Sequence, residues 1–356
     1  MPTLDNKKII KQYQKFQVAR TISLLPKQIV ESWADVLSLK LPKSYRRPQN
    51  IVVSGMGGSG LAAELLRSLY GRTLKIPLIL VHNYHLPKFV NNKSLVVISS
   101  YSGQTEESLD CLNEALAYKA KVFCLASGGQ LIITAKKHRL PYYLINKKFN
   151  PANQPRYGIG SQFGAMLALF DNLKLLKISD REIKQSAEYL SILNQTLKPD
   201  INSNENFAKK LARELNGQLP ILIAADFLSA NSHILANQIN ESAKNLAQPY
   251  AIPELSHHLL EGLKLPTAVA VKMKFLFFNS NLYSAKISRH FTIVQKILKK
   301  QKIKFIDYSI IGDSRLSIAL EALLLSSWLS YYLAILNGQN PTAVPLVDYF
   351  KKELVK

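Results

Sequence analysis

The sequence predicts an α/β protein of two domains, each built on a parallel sheet flanked by helices, and three observations carry this prediction. Short apolar runs rich in β-branched residues alternate with segments of helical periodicity. The runs are apolar at consecutive positions, which is typical of strands that are buried on both faces. The alternation starts again after a polar stretch at 180–206, and the 356 residues suffice for about two domains of ordinary size.

The first series of strands follows a polar, helical extension at 1–45. Its candidate strands lie at 51–54, 78–81, 95–99, 122–125 and 142–145, and its candidate helices at about 59–70, 105–119 and 131–138. Strand–helix alternation of this kind favours a parallel sheet that is covered on both faces. We therefore predict a first domain at 46–150.

The second series follows a helical connector at 151–203. Its candidate strands lie at 219–224, 268–271, 275–278 and 303–308, and its candidate helices at about 204–215, 229–243, 286–300 and 315–336. These elements predict a second domain at 204–335. The C-terminal segment at 336–356 is then expected to pack back onto one of the two domains.

Composition excludes several classes of protein. A chain with 47% hydrophobic and 20% charged residues is neither disordered nor fibrous. Two cysteines, Cys111 and Cys124, are too few for a disulfide framework or a four-cysteine zinc site. His82 and His85 have no acidic or cysteine partner nearby in the sequence, so no metal site is predicted. The cysteine usage and an N-terminus without the apolar run of a signal peptide favour a cytoplasmic location.

The net charge is unusually high, because 46 basic and 24 acidic residues give +22. Such a surface attracts polyanions. The basic residues are mostly lysines in scattered short pairs, so we favour a lysine-rich surface suited to a small anionic substrate over a nucleic-acid site. The apolar segment at 316–336 could cross a bilayer. Its serines and Glu321 favour a buried helix instead, and no membrane partner is expected.

A glycine-rich loop at 54–60, Ser-Gly-Met-Gly-Gly-Ser-Gly, directly follows a predicted strand and opens a helix. Glycines let the backbone turn sharply, and the free N–H groups at a helix start favour an anion. Gly58 and Ser59 are therefore candidate phosphate-binding residues. The spacing matches neither a Walker loop nor the dinucleotide fingerprint, and a plain strand–helix turn remains an alternative.

A second loop at 99–107, Ser-Ser-Tyr-Ser-Gly-Gln-Thr-Glu, clusters three hydroxyl groups at another helix start. Ser100, Ser102 and Thr105 can hold a phosphate monoester together with backbone N–H groups. Ordinary N-capping would explain one of these hydroxyls. Three of them at the carboxyl edge of a parallel sheet lie where such folds bind ligands.

These two loops resemble those of sugar isomerase domains, and four further motifs occur in the order of one family. The six motifs are the loops at 54–60 and 99–107, Gln154-Pro-Arg156, Asn240-Glu-Ser-Ala-Lys244, Pro253-Glu-Leu-Ser-His-His258 and the tail at 338–351. The chain thus resembles the bifunctional phosphoglucose/phosphomannose isomerase family over nearly all of its length from residue 46. The resemblance implies two SIS-type (flavodoxin-like) domains and a metal-independent, cofactor-free aldose–ketose isomerase of sugar phosphates.

The resemblance also implies roles for four residues. Glu241 matches the catalytic base that moves a proton between C1 and C2, a step that a carboxylate performs well. Arg156 matches the cation beside the negatively charged enediolate. His257 matches the ring-opening histidine, donated across a homodimer interface, and Lys351 matches the C-terminal catalytic lysine. From the residues alone, the favoured interpretation of Glu241 is a surface residue paired with Lys244 at i+3, and the surrounding motifs reverse that preference.

Two positions depart from the family pattern. Val344 stands where the family carries a threonine linked to acceptance of both epimers, so the preference between glucose and mannose phosphates stays open. His258 stands where an asparagine is common. Two other functions remain as alternatives: a non-catalytic sugar-phosphate-binding regulator with the same fold, and a nucleic-acid binder that uses the basic surface.

Overall fold

The computed structural model describes residues 3–354, which form two compact units. The first unit comprises residues 24–191 and 315–319, and the second comprises 3–23, 192–314 and 320–354. Each unit contains one parallel sheet with helices packed against it, so the predicted fold class is confirmed. The predicted domain boundaries stay predictions.

The described residues form nine strands and fourteen α-helices, and each series is numbered along the chain. The strands are β1 (Asn50–Ser54), β2 (Leu78–Val81), β3 (Ser94–Ser99), β4 (Lys121–Ala126), β5 (Tyr142–Leu144), β6 (Leu219–Ala225), β7 (Gln248–Ile252), β8 (Met273–Ser280) and β9 (Phe305–Ile310). The α-helices are α1 (Lys7–Gln14), α2 (Val18–Ser23), α3 (Leu25–Leu37), α4 (Gly58–Tyr70), α5 (Glu106–Ala117), α6 (Gly129–Lys137), α7 (Ile159–Asn172), α8 (Asp180–Leu197), α9 (Phe207–Leu215), α10 (Ser229–Gln238), α11 (Thr267–Ala270), α12 (Ala285–Lys300), α13 (Arg315–Leu336) and α14 (Pro345–Leu354).

The first unit is organised around a five-stranded parallel sheet with the strand order β2-β1-β3-β4-β5. The central strand β3 is buried along its whole length, which explains its continuous apolar sequence. Strands β1 and β3 are neighbours, and Ser54 pairs with Ile98 near their carboxyl ends. The two loops that follow these strands therefore lie at the same edge of the sheet.

Helices α3 and α7 pack closely within the first unit. A Cβ atom on Gly164 of α7 would come within 2.5 Å of the Ile29 carbonyl oxygen on α3, so only glycine allows this approach. The amide of Gln28 on α3 donates to the carbonyl oxygens of Phe149 (2.9 Å) and Tyr157 (3.0 Å). Residues before the first strand thus fix the chain that leads into α7.

The second unit is organised around a four-stranded parallel sheet with the order β7-β6-β8-β9. From residue 320 onward α13 belongs to this unit. The helix is long and apolar enough to cross a bilayer, but its apolar window is completely buried in the protein. The Trp328 indole donates to Asn194 (2.8 Å), and Glu321 accepts a hydrogen bond from the Tyr308 hydroxyl. The prediction of a buried core helix is therefore confirmed.

One predicted strand is wrong, and one real strand was not predicted. Residues 268–271 lie in and just after the short helix α11, at the surface before β8 begins. Their apolar run therefore reflects exposed residues rather than a buried strand. The strand that was not predicted is β7, which forms the edge of the sheet beside β6 and in which only Ile252 is buried. Its sequence contains Pro249 and suits the edge of a sheet, where no continuous apolar run is needed.

Candidate functional site

The glycine-rich loop and the hydroxyl loop of the first unit are bonded to each other. The Ser99 hydroxyl, at the end of β3, donates to the carbonyl oxygen of Ser59 at 2.9 Å. The Ser59 hydroxyl in turn accepts a hydrogen bond from the backbone N–H of Tyr101 at 2.8 Å. The two predicted phosphate loops therefore converge, because they follow adjacent parallel strands.

The three hydroxyls of the second loop have different environments. Ser100 is 1% exposed, and its hydroxyl donates to Thr105 Oγ1 (2.9 Å) and accepts from the N–H of Gly103 (3.1 Å). Thr105 is the N-cap residue of α5, but its side chain makes no capping bond. The Thr105 hydroxyl accepts this hydrogen bond from Ser100, and its own proton remains available to donate to a ligand. Ser102 is exposed and accepts from the N–H of Gln104 (3.2 Å).

The start of α4 brings its backbone close to the segment that carries Arg156. Gly57, the N-cap residue, has a φ angle of +48° and open space where a side chain would lie, and no side chain caps the helix. A Cβ atom on Gly58 would come within 2.9 Å of both the Arg156 nitrogen and Pro155. Glycine at 58 therefore lets the arginine turn rest against the helix start, where the positive end of the helix dipole favours an anion.

Arg156 is a buried cation whose backbone lies next to the glycine loop. It lies on a 3₁₀ turn, Pro155–Tyr157, and is 1% exposed. Its Nη1 donates to Gln154 Oε1 at 3.0 Å, and its guanidinium carbon lies 5.6 Å from the centre of the Tyr157 ring. The turn is held by Asn150, whose amide donates to the Gln154 carbonyl oxygen (2.9 Å) and to the Tyr101 hydroxyl (2.8 Å). Burial raises the pKa of Tyr101 to about 12, so this phenol stays neutral.

His82 supports the glycine loop, and sequence reasoning missed this role. Its Nδ1 lies 2.7 Å from the Gly55 carbonyl oxygen, and its Nε2 lies 3.4 Å from Glu64 Oε1. The hydrogen bond to Glu64 raises the pKa of the imidazole, which favours a ring that donates from both nitrogens. A Cβ atom on Gly60 would come within 2.8 Å of the His82 ring. No sequence spacing indicated this contact, since His82 follows the next strand.

In the second unit Glu241 lies on a π-helical segment, Ile239–Ala243, which continues α10. Single π-helical turns inside α-helices are frequent at functional sites. Glu241 is half-buried, and the segment ends at Lys244, which has a φ angle of +51°. The Lys244 ammonium donates to the carbonyl oxygens of Glu241 (2.9 Å) and Ser242 (3.3 Å). The sequence predicted a pair between the Lys244 and Glu241 side chains at i+3. It did not predict these bonds from Lys244 to backbone carbonyl oxygens.

The segment that carries Glu241 is tied to the C-terminal tail. Lys244 Nζ also donates to the Asn340 carbonyl oxygen (2.5 Å), and the Asn337 amide donates to the Ala243 carbonyl oxygen (2.9 Å). In the tail the Thr342 hydroxyl donates to Asn340 Oδ1 (2.8 Å), while Val344 is half-buried. The motif at 240–244 and the tail motif, far apart in sequence, therefore meet within the second unit.

His257 and Lys351 are both exposed. His257 ends a 3₁₀ turn, Glu254–His257, and His258 packs its ring 6.0 Å from that of Tyr250. Within residues 3–354, neither the His257 nor the Lys351 side chain makes a hydrogen bond or an ion pair. Lys351 lies on α14, whose large apolar residues are all exposed: Leu346, Val347, Tyr349, Phe350 and Leu354.

The first unit thus brings Gly58, Ser59, Ser100, Thr105 and Arg156 into one bonded cluster, with Ser102 at its exposed side. The second unit carries Glu241, His257 and Lys351. Both cysteines are buried and free. Across the described part of the chain, His, Cys, Asp and Glu side chains form no group of three or more that could hold a metal ion.

Comparison with known proteins gives consistent matches along the chain. Residues 204–354 match the model of the bacterial phospho-glucose isomerase C-terminal SIS domain. A bifunctional phosphoglucose/phosphomannose isomerase of Caldicellulosiruptor bescii is 30% identical and covers 93% of this chain and 97% of its own. The protein of that name from Aquifex aeolicus is 29% identical over 91% and 94%.

Solved structures share the fold. A hypothetical protein of Thermus thermophilus aligns with a TM-score of 0.77 at 14% identity and covers 98% of this chain and 92% of its own. A tagatose-6-phosphate ketose/aldose isomerase of Escherichia coli aligns with a TM-score of 0.70 at 15% identity, over 91% and 93%. At this level of identity, the structural likeness establishes the SIS-type fold alone.

Proposed function

Because the chain belongs to the bifunctional phosphoglucose/phosphomannose isomerase family, we propose that it interconverts glucose 6-phosphate and fructose 6-phosphate through a cis-enediolate, with mannose 6-phosphate as an alternative substrate. The reaction needs no metal or organic cofactor. The observation that carries this proposal is the bonded cluster of the first unit, in which two hydroxyl-bearing loops and a buried arginine converge at one sheet edge.

The cluster fits a phosphate monoester. At the start of α4 the N–H groups of Ser59 and Gly60 donate to the Met56 and Gly57 carbonyl oxygens, which leaves those of Gly57 and Gly58 for a ligand, and Thr105 has a hydroxyl proton to donate. Such donors bind phosphate through charge-assisted hydrogen bonds. Ser59 and Ser99 hold the two loops together, Ser100 fixes the second loop through Gly103 and Thr105, and Ser102 supplies an exposed hydroxyl at the edge of the cluster.

Arg156 supplies the fixed positive charge for the intermediate. An enediolate carries negative charge on oxygen, and a cation held in place beforehand stabilises it without reorganisation. Arg156 meets this requirement, because the turn that carries it is fixed by Asn150 and rests against Gly58. Its burial strengthens any charge interaction that it makes.

Glu241 is the proposed base that carries the proton between C1 and C2. Its backbone is held on the π-helical segment by Lys244 and, at the end of that segment, by Asn337. A carboxylate on a fixed backbone suits a proton transfer that needs well-defined geometry. Lys351 is the proposed C-terminal catalytic lysine.

His257 is the proposed ring-opening residue, acting in the neighbouring subunit of a homodimer. A histidine titrates near neutral pH and can move a proton between the ring oxygen and O1. Its exposure and the exposed apolar face of α14 both support a subunit interface in the second unit. The buried, unpaired state of both cysteines supports a cytoplasmic location.

The test is an assay of purified protein in EDTA with fructose 6-phosphate, in which glucose 6-phosphate and mannose 6-phosphate are measured separately. Glu241→Gln should lower turnover by about 10²–10⁴-fold, the usual contribution of a general base. Fructose 6-phosphate binding, measured by calorimetry, should persist. Glu261→Gln, at an exposed position of the same unit, is the matched control.

Solvent tritium exchange at C2 adds a direct reading of the proton transfer. We expect exchange with the native protein and none with Glu241→Gln. Full turnover in that variant would discard Glu241 as the base. Binding without turnover in the native protein would instead favour the non-catalytic regulator.

A further inference from the structure

A large cavity lies within the second unit, and none of its lining residues belongs to the proposed substrate site. Its volume is about 1000 Å³. Its walls come from the N-terminal residues 5–23, from the loop at 198–202 with Lys209, and from Trp328 and Tyr331 of α13. Small-molecule sites in proteins have volumes up to about this size. The cavity is therefore large enough for a nucleotide-sized molecule.

The cavity wall is fixed by a buried lysine. The Lys209 side chain is 1% exposed, and its Nζ donates to Asp5 Oδ1 (3.1 Å) and to the carbonyl oxygens of Pro199 (2.8 Å) and Ile201 (2.7 Å). These bonds use all three of its donors. Asp5 also accepts from the N–H (2.9 Å) and hydroxyl (2.7 Å) of Ser203. Lys209 of α9 and Asp5 thus join the N-terminal segment to the loop that precedes α9 and are not available to a ligand.

The remaining charges of the cavity are predominantly positive. Lys7, Lys11, Arg20 and Lys198 line it, and among the described residues of its wall Asp200 is the only carboxylate besides Asp5. Within residues 3–354, Lys7, Lys11 and Arg20 make no side-chain hydrogen bond or ion pair. These three cations converge on one concave space without partners of their own, whereas Lys198 donates to Gln195 Oε1 (2.6 Å). Together they favour an anion with more than one charged group.

We propose that this cavity is a second binding site, specific for a small polyphosphate such as a free diphosphate or the phosphate chain of a nucleotide. Lys11 and Arg20 stand on neighbouring helices, α1 and α2, and can contact separate phosphate groups. Arginine binds phosphate through two parallel hydrogen bonds, and lysine adds a point charge. Trp328 and Tyr331 are fully buried beneath the cavity, so recognition rests on charge and not on ring stacking.

Calorimetric titration of the full chain with inorganic pyrophosphate and, separately, with ATP tests the proposal. Both titrations are made at low ionic strength and with saturating fructose 6-phosphate, so that the substrate site is already filled. We expect one equivalent to bind per chain. Tighter binding of ATP would identify a nucleotide as the ligand, and equal or weaker binding would identify the free diphosphate.

Matched charge variants separate a built site from general attraction to a basic surface. Lys11→Gln/Arg20→Gln should weaken binding by about tenfold or more, because two charge-assisted contacts are lost. Lys8→Gln/Lys15→Gln removes the same charge from residues outside the cavity and should have much less effect. Asp200→Asn removes a negative charge from the cavity and should tighten binding. This variant therefore tests the proposal through a gain of affinity, which misfolding could not produce.

Three results would overturn the proposal: no binding, equal weakening in both double variants, or displacement of pyrophosphate by a single-stranded oligonucleotide equally well in native protein and both variants. The last result would assign the charge to a nucleic-acid surface. Fructose 6-phosphate turnover and circular dichroism of each variant report whether it is folded.

Discussion

Replacing Gly58 by alanine is expected to displace Arg156 without changing any charged or hydroxyl group. An alanine Cβ at this position would come within 2.9 Å of the Arg156 nitrogen and of the Pro155 carbonyl carbon and Cβ. These are mainly backbone atoms and cannot rotate away. Because ordinary contact begins at 3.4 Å, the turn must retreat from 2.9 Å by about 0.5 Å.

This displacement sets the size of the expected effect. Overpacking of a tight contact costs about 1–3 kcal/mol in the free energy of unfolding. A misplacement of about 1 Å can cost about 10²-fold in rate, so half that distance corresponds to about tenfold on a logarithmic scale. We therefore expect Gly58→Ala to lower kcat/KM by about tenfold in the coupled isomerase assay, with a reduced melting temperature.

Two glycine controls separate displacement from strain. Gly262 has open space around its Cβ position and an ordinary φ angle, so Gly262→Ala should change neither activity nor stability. Gly57 also has open space but a φ of +48° and a ψ of −129°, a combination almost confined to glycine, so Gly57→Ala should cost about 1–3 kcal/mol of stability without moving Arg156. Unchanged kcat/KM in a measurably destabilised Gly58→Ala protein would refute the role proposed for Arg156.

Two further predictions concern residues that support the site. Lys244→Met removes the donor to three carbonyl oxygens, and we expect kcat to fall about tenfold with little change in KM. Lys210→Met, at an exposed position, is the control and should match the native protein. Since Glu64 raises the pKa of His82 above 6.5, the stability that His82 adds is complete below that pH and is lost as pH rises through the raised value. The difference in melting temperature between the native protein and His82→Gln should therefore be larger at about pH 5.5 than at about pH 9. An equal difference at both pH values would contradict this.

The buried parts of the fold could be predicted from sequence because burial leaves a local signal. Strands β3 and β4 are almost fully buried, and their continuous apolar runs mark them directly. Helix α13 is buried all round, and its length and apolarity identified it as a helix. The sequence also places each loop at the carboxyl end of a parallel strand, where such folds bind ligands. That the two loops converge depends on β1 lying beside β3, which the structure shows.

The parts of the fold and site that were predicted wrongly, or not at all, lack this local signal of burial. Strand β7 is an edge strand with one buried residue, while 268–271 is an apolar run that lies at the surface. His82 contacts the glycine loop only because β2 lies beside β1 in the sheet, a fact of strand order that one sequence does not contain. The close approach of Gly58 to Arg156 also joins residues that are distant in the chain.

The motif at 240–244 illustrates why spacing alone could not decide between a surface ion pair and a functional segment. A Glu and a Lys three residues apart face each other on an α-helix, but this segment is π-helical and ends in a left-handed residue. Lys244 adopts this left-handed conformation, and its ammonium reaches back to the carbonyl oxygens of Glu241 and Ser242 and across to that of Asn340. The lysine therefore closes the helix end and fixes the tail. That bonding to three backbone carbonyl oxygens gives Lys244 a structural role, and Lys244→Met tests it.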